Sequence, residues 1–293
     1  CVGSVFAVAY GLLSKPLPYP AQERLAQLTL RSVRMGMDLG WSAPYFDSVA
    51  RDAKKLDTVA GYRQKELPLF DRSGRYSGAS EAIFAEPELM HLLGASAEVG
   101  RLFVPEDAKE GAEPVALVSH SLAAKHFGGT AAALDNKLRA GAQTYRIIGV
   151  LPNETAFPAT DIGIWLPMGF TQADLAASNA GSFGNLRAVG RLVPGSTFDE
   201  ASTEMMRLVR ADRALGAIAD EIELEAKAKP LRHIWIQERE SSLTSILAAV
   251  LLVFAVTIAN ACSLFMLRVI ARRQEYALLE AVGASRARRV SQI

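Results

Sequence analysis

The sequence of 293 residues has two cysteines, Cys1 and Cys262, and none between them. Both lie in apolar runs without a nearby partner, so neither a disulfide framework nor a metal-ligand spacing is present. A cysteine-free middle suits an oxidising compartment such as the periplasm, and a cytosolic domain can share it. The Gly-x-x-x-x-Gly-Lys-Ser/Thr loop is missing, which excludes ATP hydrolysis by that route. A Gly-x-Ser-x-Gly elbow is missing too. Histidine is scarce, with four in all. His120 and His126 do not have the spacing of ligands on one helix face, and His91 and His233 stand alone. Satisfied or exposed histidines explain all four better than a metal site does. His120 lies between Ser119 and Ser121, but neighbouring side chains point apart and make a poor catalytic pair. Glu106, Asp107 and Glu110 read as a solvated acidic loop, because calcium needs more converging oxygens. The net charge of +1 makes no case for a nucleic-acid partner, and no cofactor is expected on this chain.

What is there is unevenly spread. Residues 14–240 carry 26 Lys/Arg and 29 Asp/Glu, whereas residues 241–293 carry six Arg and two Glu. From Ser241 to Leu267 there are 27 residues without a charge, Pro or Gly. A bilayer core needs about 20 helical residues, so the run is expected to span a membrane. Asn260 and the neighbouring hydroxyl residues then face other helices rather than lipid. Arg268, Arg272 and Arg273 follow at once, which puts the C-terminal end in the cytoplasm and the preceding domain outside. Residues 1–14 are apolar and end before Pro16, Pro18 and Pro20, so they read as the last part of a first membrane helix.

Between these segments, residues 15–240 read as an α+β domain with hairpins. Strands are predicted over Leu25–Leu30, Val59–Gln64, Leu67–Asp71, Val115–Ser119, Ile162–Leu166, Asn185–Leu192 and His233–Gln237. A further strand leads toward Phe84, and a hairpin joins Asn136–Ala140 to Thr144–Val150. Helices are predicted over Pro44–Lys54, Glu86–Leu93, from Ser119 or Ser121 to Phe127, and from the capping box of Thr197 and Glu200 to about Leu215. Asp220–Lys229, rich in Lys, Glu and Ala, reads as a solvated helix or loop. Phe157, Trp165 and Phe170 form an aromatic stretch that lines either the core or a contact surface, with the core favoured.

Several stretches in the right order resemble one family. Lys15–Leu25 resembles the junction after the first membrane helix of MacB-type permeases. Gly100, Arg101, Phe103, Glu106 and Asp107 match its G-R-x-F-x-x-E-D motif. Pro114–Gly129 and Tyr145–Pro152 resemble later parts of the periplasmic core domain. Asn260 to Arg289, with Arg268, Arg272, Arg273, Glu275 and the turn Gly283, Ala284, Ser285, resembles the FtsX-like permease segment. Glu280 stands where that family commonly has Arg.

The resemblance, closest to duplicated orphan permeases, implies a subunit of a type VII ABC transporter. Its periplasmic core at 15–240 would have a ferredoxin-like part and an inserted smaller subdomain at about 100–185. That core would be held between a partial first helix at 1–14 and a second helix at 241–268, with a cytoplasmic FtsX-like helix and turn at 269–293. The implied partners are lipid, an ABC ATPase subunit that holds the ATP, a second permease subunit or half, and a periplasmic adaptor. ATP hydrolysis inside would move the periplasmic domain, for efflux or extraction of a substrate. If the helix runs unbroken from Ser241 to Val282, it is a rod of about 60 Å at ~1.5 Å per residue. Tyr276, Leu279 and Val282 give that rod an apolar stripe for a neighbouring helix or the ATPase, or for lipid. Two other classes compete. One is a single-pass envelope receptor or adhesin without an ATPase, and the other is a tethered envelope enzyme, for which no reactive constellation is found.

Overall fold

The structure, a computed structural model, describes residues 19–71, 73–152, 155, 157–158, 162–176, 183–232, 249 and 251–269. The predicted strand His233–Gln237 therefore lies outside the described residues. Contacts divide the chain into two units, one of residues 12–235 and one of residues 1–11 with 236–293.

The larger unit is built on one sheet of eleven strands. In chain order these begin with β1 (Leu25–Ser32), β2 (Met37–Leu39), helix α1 (Ala43–Asp52), β3 (Leu56–Phe70), β4 (Tyr76–Ala85) and α2 (Pro87–Leu92). Next come β5 (Val99–Gly100), a 3-10 turn at Pro105–Ala108, β6 (Val115–Ser119), α3 (His120–Phe127) and α4 (Thr130–Ala133). Then follow β7 (Lys137–Ala140), β8 (Gln143–Leu151), β9 (Ile162–Pro167), β10 (Arg187–Leu192), α5 (Phe198–Ala211), α6 (Arg213–Ala219) and β11 (Leu224–Pro230).

Along the main path the strand order is β11-β1-β10-β3-β4-β9-β6-β8-β5. Its first four strands are antiparallel neighbours. With α1 between β1 and β3, and α5 between β10 and β11, they make the split β-α-β frame of a ferredoxin-like fold. The chain leaves this frame after β3 and returns at β10. The excursion lengthens the same sheet with β4, β9, β6, β8 and β5, and includes the parallel pairs β4–β9 and β6–β8. The fold is thus α+β.

Residue pattern explains the layers. In β1, Leu28, Leu30 and Ser32 are buried while Gln27, Thr29 and Arg31 are half-buried, the period of two of a strand with one face on the core. That face packs against α1 and α5 through Trp41, Phe46, Met205 and Val209. A separate core of Leu67, Ala116, Leu122, Leu138 and Ile164 gathers under α3 and α4. Phe157 and Trp165 are buried in a third, and Phe170 packs at the edge of the first, so the aromatic stretch is core.

Several local expectations hold at atomic detail. Thr197 Oγ1 accepts the Glu200 N–H at 3.2 Å and Glu200 Oε2 accepts the Thr197 N–H at 3.0 Å. Ser119 rather than Ser121 caps α3, its Oγ accepting the Leu122 N–H at 3.2 Å.

Others need correction. The two strands predicted over 59–71 are one 15-residue strand, β3. The helix predicted to reach Leu215 stops at Ala211, because Asp212 turns extended and its Oδ1 caps the next helix through the Leu215 N–H at 2.9 Å. Asp220–Lys229 is neither a solvated helix nor a loop throughout, since Leu224–Pro230 is β11. Its Leu224, Ala226 and Ala228 point inward between outward charges. The alternation was present, but alanine is a weak apolar marker and the helix-forming Glu and Lys outweighed it. β2 and β5, two short strands, add to those predicted from the sequence.

Candidate coupling site

The motif Gly100 to Asp107 closes one end of the sheet. Val99 and Gly100 pair with Val150 and Gly149, and the Arg101 N–H donates to the Ile148 carbonyl at 3.0 Å. Gly100 has φ +83°, where a Cβ would overlap the Ile148 carbonyl oxygen, so only glycine fits. Phe103 is fully buried beside Leu117, Ile148 and Trp165. Arg101 then grips Asp107 with two bonds, Nη1 to Oδ2 at 2.6 Å and Nη2 to Oδ1 at 2.9 Å. Asp107 Oδ2 also accepts the Val104 N–H at 2.9 Å. The Arg101 hydrogen bond, aided by the Val104 amide, holds the Asp107 carboxyl below its ordinary value. The same bond raises the Arg101 pKa. Glu106 points outward and pairs with Lys109 at 3.5 Å. The arginine and aspartate thus hold each other and the turn, which makes the motif a staple of the fold rather than a ligand site.

A second arrangement, which sequence reasoning missed, lies where the chain enters β1. Arg191, on β10, donates from Nη1 to the Pro20 carbonyl at 2.7 Å and from Nη2 to the Leu92 carbonyl at 2.5 Å. Arg24 donates from Nε and Nη2 to the Leu192 carbonyl at 2.8 and 2.6 Å. Burial, and then the nearby Arg24 charge, push the Arg191 pKa down. These two arginines tie the segment Pro20–Arg24 to β10 and to the end of α2. The only trace in the sequence is Arg191 near the end of β10, among residues that are otherwise buried except for the exposed Arg187 at the strand's start.

β11 pairs with β1 in seven antiparallel steps from Ala26↔Pro230 to Ser32↔Leu224. The start of β1 and the end of β11 therefore lie side by side, and the chain enters and leaves the frame at one end of the same strand pair.

In the other unit, helix α7 (Leu251–Val269) has 19 residues with mean hydropathy 1.9 and no buried positions, long and apolar enough to cross a membrane. Thr257 and Ser263 donate their hydroxyls to the carbonyls of Val253 and Ala259 at 2.8 and 2.9 Å, so both are satisfied within the helix. Asn260 lies between them on the helix, and Arg268 is next to its last residue. Arg272, Arg273, Glu275, Tyr276, Leu279, Val282, Gly283 and Ser285 lie outside the described residues.

Elsewhere, His120 Nδ1 sits 2.8 Å from Glu98 Oε2, and Ser119 and Ser121 hydrogen-bond to each other at 3.0 Å instead of to the histidine. Among the described residues no three His, Cys, Asp or Glu side chains converge on a possible metal position.

A ferredoxin-like frame with a long excursion, followed by an apolar helix of membrane-spanning length, defines an α+β domain of a membrane protein. The chain belongs to the family of the MacB-like periplasmic core domain, whose model matches residues 1–208. That places it among the permeases of ABC-type transporters.

Two solved structures show the same fold. A domain described as that of a permease protein from Porphyromonas gingivalis has a TM-score of 0.53 at 17% identity, covering 72% of this chain and 92% of its own. The periplasmic region of MacB from Actinobacillus actinomycetemcomitans has a TM-score of 0.51 at 11% identity, covering 73% of this chain and 98% of its own. No curated protein matches the chain.

Proposed function

We propose that this chain is part of a permease subunit that couples ATP hydrolysis in the cytoplasm to movement of a domain on the far side of the membrane. The adjacency of the start of β1 and the end of β11 carries the reading. A domain attached at both ends to membrane helices needs its two ends on one side, and this sheet supplies that. Displacement arriving at Pro230 is spread along all seven steps of the β1–β11 pair and, through β10, to Arg191 and α2. A strand paired along its length moves with its sheet, because sliding it would break the whole ladder at once.

In this reading residues 15–240 are periplasmic, with a smaller inserted part at about 100–185, and residues 241–268 form the second membrane helix in the cell membrane. Arg268, Arg272 and Arg273 anchor the cytoplasmic end at the lipid headgroups. Tyr276, Leu279 and Val282 face the ATPase or a neighbouring helix, while Gly283 and Ser285 turn the chain. Asn260 bonds across to another membrane helix. ATP is held by a separate ATPase chain, and a second permease subunit or half completes the assembly. Efflux or extraction from the periplasm or outer leaflet is the work done, with or without a periplasmic adaptor.

The test uses the subunit expressed with its ATPase. A cysteine placed at Lys109, in a background lacking Cys1 and Cys262, should react with a membrane-impermeant maleimide in intact cells, and one at Ser285 should not. ATPase activity should be stimulated by the subunit and lose that stimulation with Tyr276→Glu or Leu279→Glu. Reversed labelling, or an ATPase indifferent to the subunit, would sink the proposal and leave a receptor or adhesin as the better reading.

A further inference from the structure

A half-open cavity of about 630 Å³ lies at the far tip of the β3–β4 hairpin, between that tip, the end of α3 and the β7–β8 hairpin. Its apolar part is made by Phe70, Phe127 and Leu138. Arg75, Lys137 and Arg139 bring three cations to it. Asp71 is the one carboxylate among its described lining residues, and it is already engaged. Its Oδ1 accepts the N–H groups of Ser73 and Arg75 at 2.8 and 3.0 Å and the Ser73 hydroxyl at 2.6 Å, and its Oδ2 takes Arg75 Nε at 3.2 Å. Lys137 and Arg139 have no ion-pair partner among the described residues. Arg139 lies over the Phe70 ring at 5.0 Å, which aligns its guanidinium along the cavity wall. Thr144, directly opposite Arg139 across the β7–β8 pair, adds a hydroxyl.

We propose that this cleft binds a small organic anion with an apolar body. Its carboxylate, phosphate or sulfonate head would lie against Lys137 and Arg139, and its ring or chain against Phe70 and Phe127. Lys137 lies in the field of Glu113, a carboxylate already held by Arg146, and Arg139 adds a second cation over the aromatic floor. Together they favour an anionic head over a neutral one, because guanidinium and ammonium groups both favour charge-assisted bonds to anionic oxygens. The cavity lies within the ~300–1,000 Å³ of small-molecule sites, which favours such a ligand over a protein segment.

The experiment takes the full chain in phosphatidylcholine nanodiscs and titrates 1-naphthyl phosphate by calorimetry. The probe should bind at least ~10-fold more tightly than 1-naphthol or inorganic phosphate, a difference of about 1.4 kcal/mol. Lys137→Gln with Arg139→Gln should weaken it by the same factor, whereas Lys54→Gln with Lys109→Gln, which removes two charges elsewhere, should not. Both altered positions are exposed, and an unchanged melting midpoint checks the fold. Phe127→Leu keeps the charges and should weaken naphthyl phosphate several-fold while leaving inorganic phosphate unaffected. The proposal is overturned by equal affinity in the double variant, by naphthol or inorganic phosphate binding as tightly, or by an acidic hexapeptide competing more strongly than the naphthyl compound.

Discussion

Gly100 and Gly111 both have positive φ, +83° and +80°, yet they differ in what surrounds them. A Cβ on Gly111 meets nothing within 4 Å, whereas one on Gly100 strikes the backbone of Ile148 and Gly149. Gly111→Ala should cost only the left-handed backbone strain, about 1–2 kcal/mol. Gly100→Ala should cost clearly more and displace the staple, seen as a larger drop in the urea midpoint at constant slope. Phe103→Ala, emptying a fully buried site, should cost about 3–5 kcal/mol by the same measurement.

Glu86 is a different kind of residue. Its Oε2 accepts the Gly61 N–H at 2.7 Å, but burial, reinforced by Glu88, pushes its pKa up to about 7. The folded state therefore holds this proton more tightly than the unfolded chain does. Stability from it is complete below about pH 4.5 and is lost as pH rises toward 7, by at most about 3 kcal/mol. Glu86→Gln should flatten that part of the stability profile, and an unchanged profile would show that the carboxylate is solvated. Asp107 slopes the opposite way, adding stability above its unfolded pKa and losing it as pH falls through the lowered folded value.

Among the elements, β11 has two faces that differ sharply. Its inward face is Leu224, Ala226 and Ala228, and its outward face Glu225, Lys227 and Lys229. Ala226→Asp should destabilise strongly by burying a charge, whereas Lys227→Gln, which gives up only an exposed ion pair with Glu225, should cost no more than about 1 kcal/mol. A solvated helix or loop would tolerate both, so equal melting temperatures for the two variants would refute the strand. β1, α1, α3 and the capped start of α5 were legible, because their period, cap residues and turn glycines are local signals. The end of α5 was not, since the apolar spacing continues past Asp212 while the helix does not.

For the whole molecule, the paired ends of β1 and β11 make a prediction of their own. Gln27 and Lys229 stand directly opposite, where Cβ atoms are about 4.5–5.5 Å apart. Cysteines at these two positions, in a background without Cys1 and Cys262, should cross-link readily on mild oxidation, giving a mobility shift on non-reducing gels that reductant reverses. Absence of the cross-link would mean that the ends are not neighbours, which would remove the support for two membrane attachments on one side.

The sequence by itself determined the α+β class, the apolar run of membrane-spanning length and the positions of the motif residues from Gly100 to Asp107. These depend on composition, period and short spacing, which are properties of neighbouring residues. Only the tertiary structure decided that the motif is a self-satisfied staple and that Arg191 reaches Pro20 and Leu92. It alone decided that Lys137 and Arg139 share a cleft with Phe70, and that the start of β1 meets the end of β11. Each of those joins residues far apart in the chain. Their contact follows from strand order and register, which are set by the burial of the whole sheet and leave no mark on any short stretch of residues.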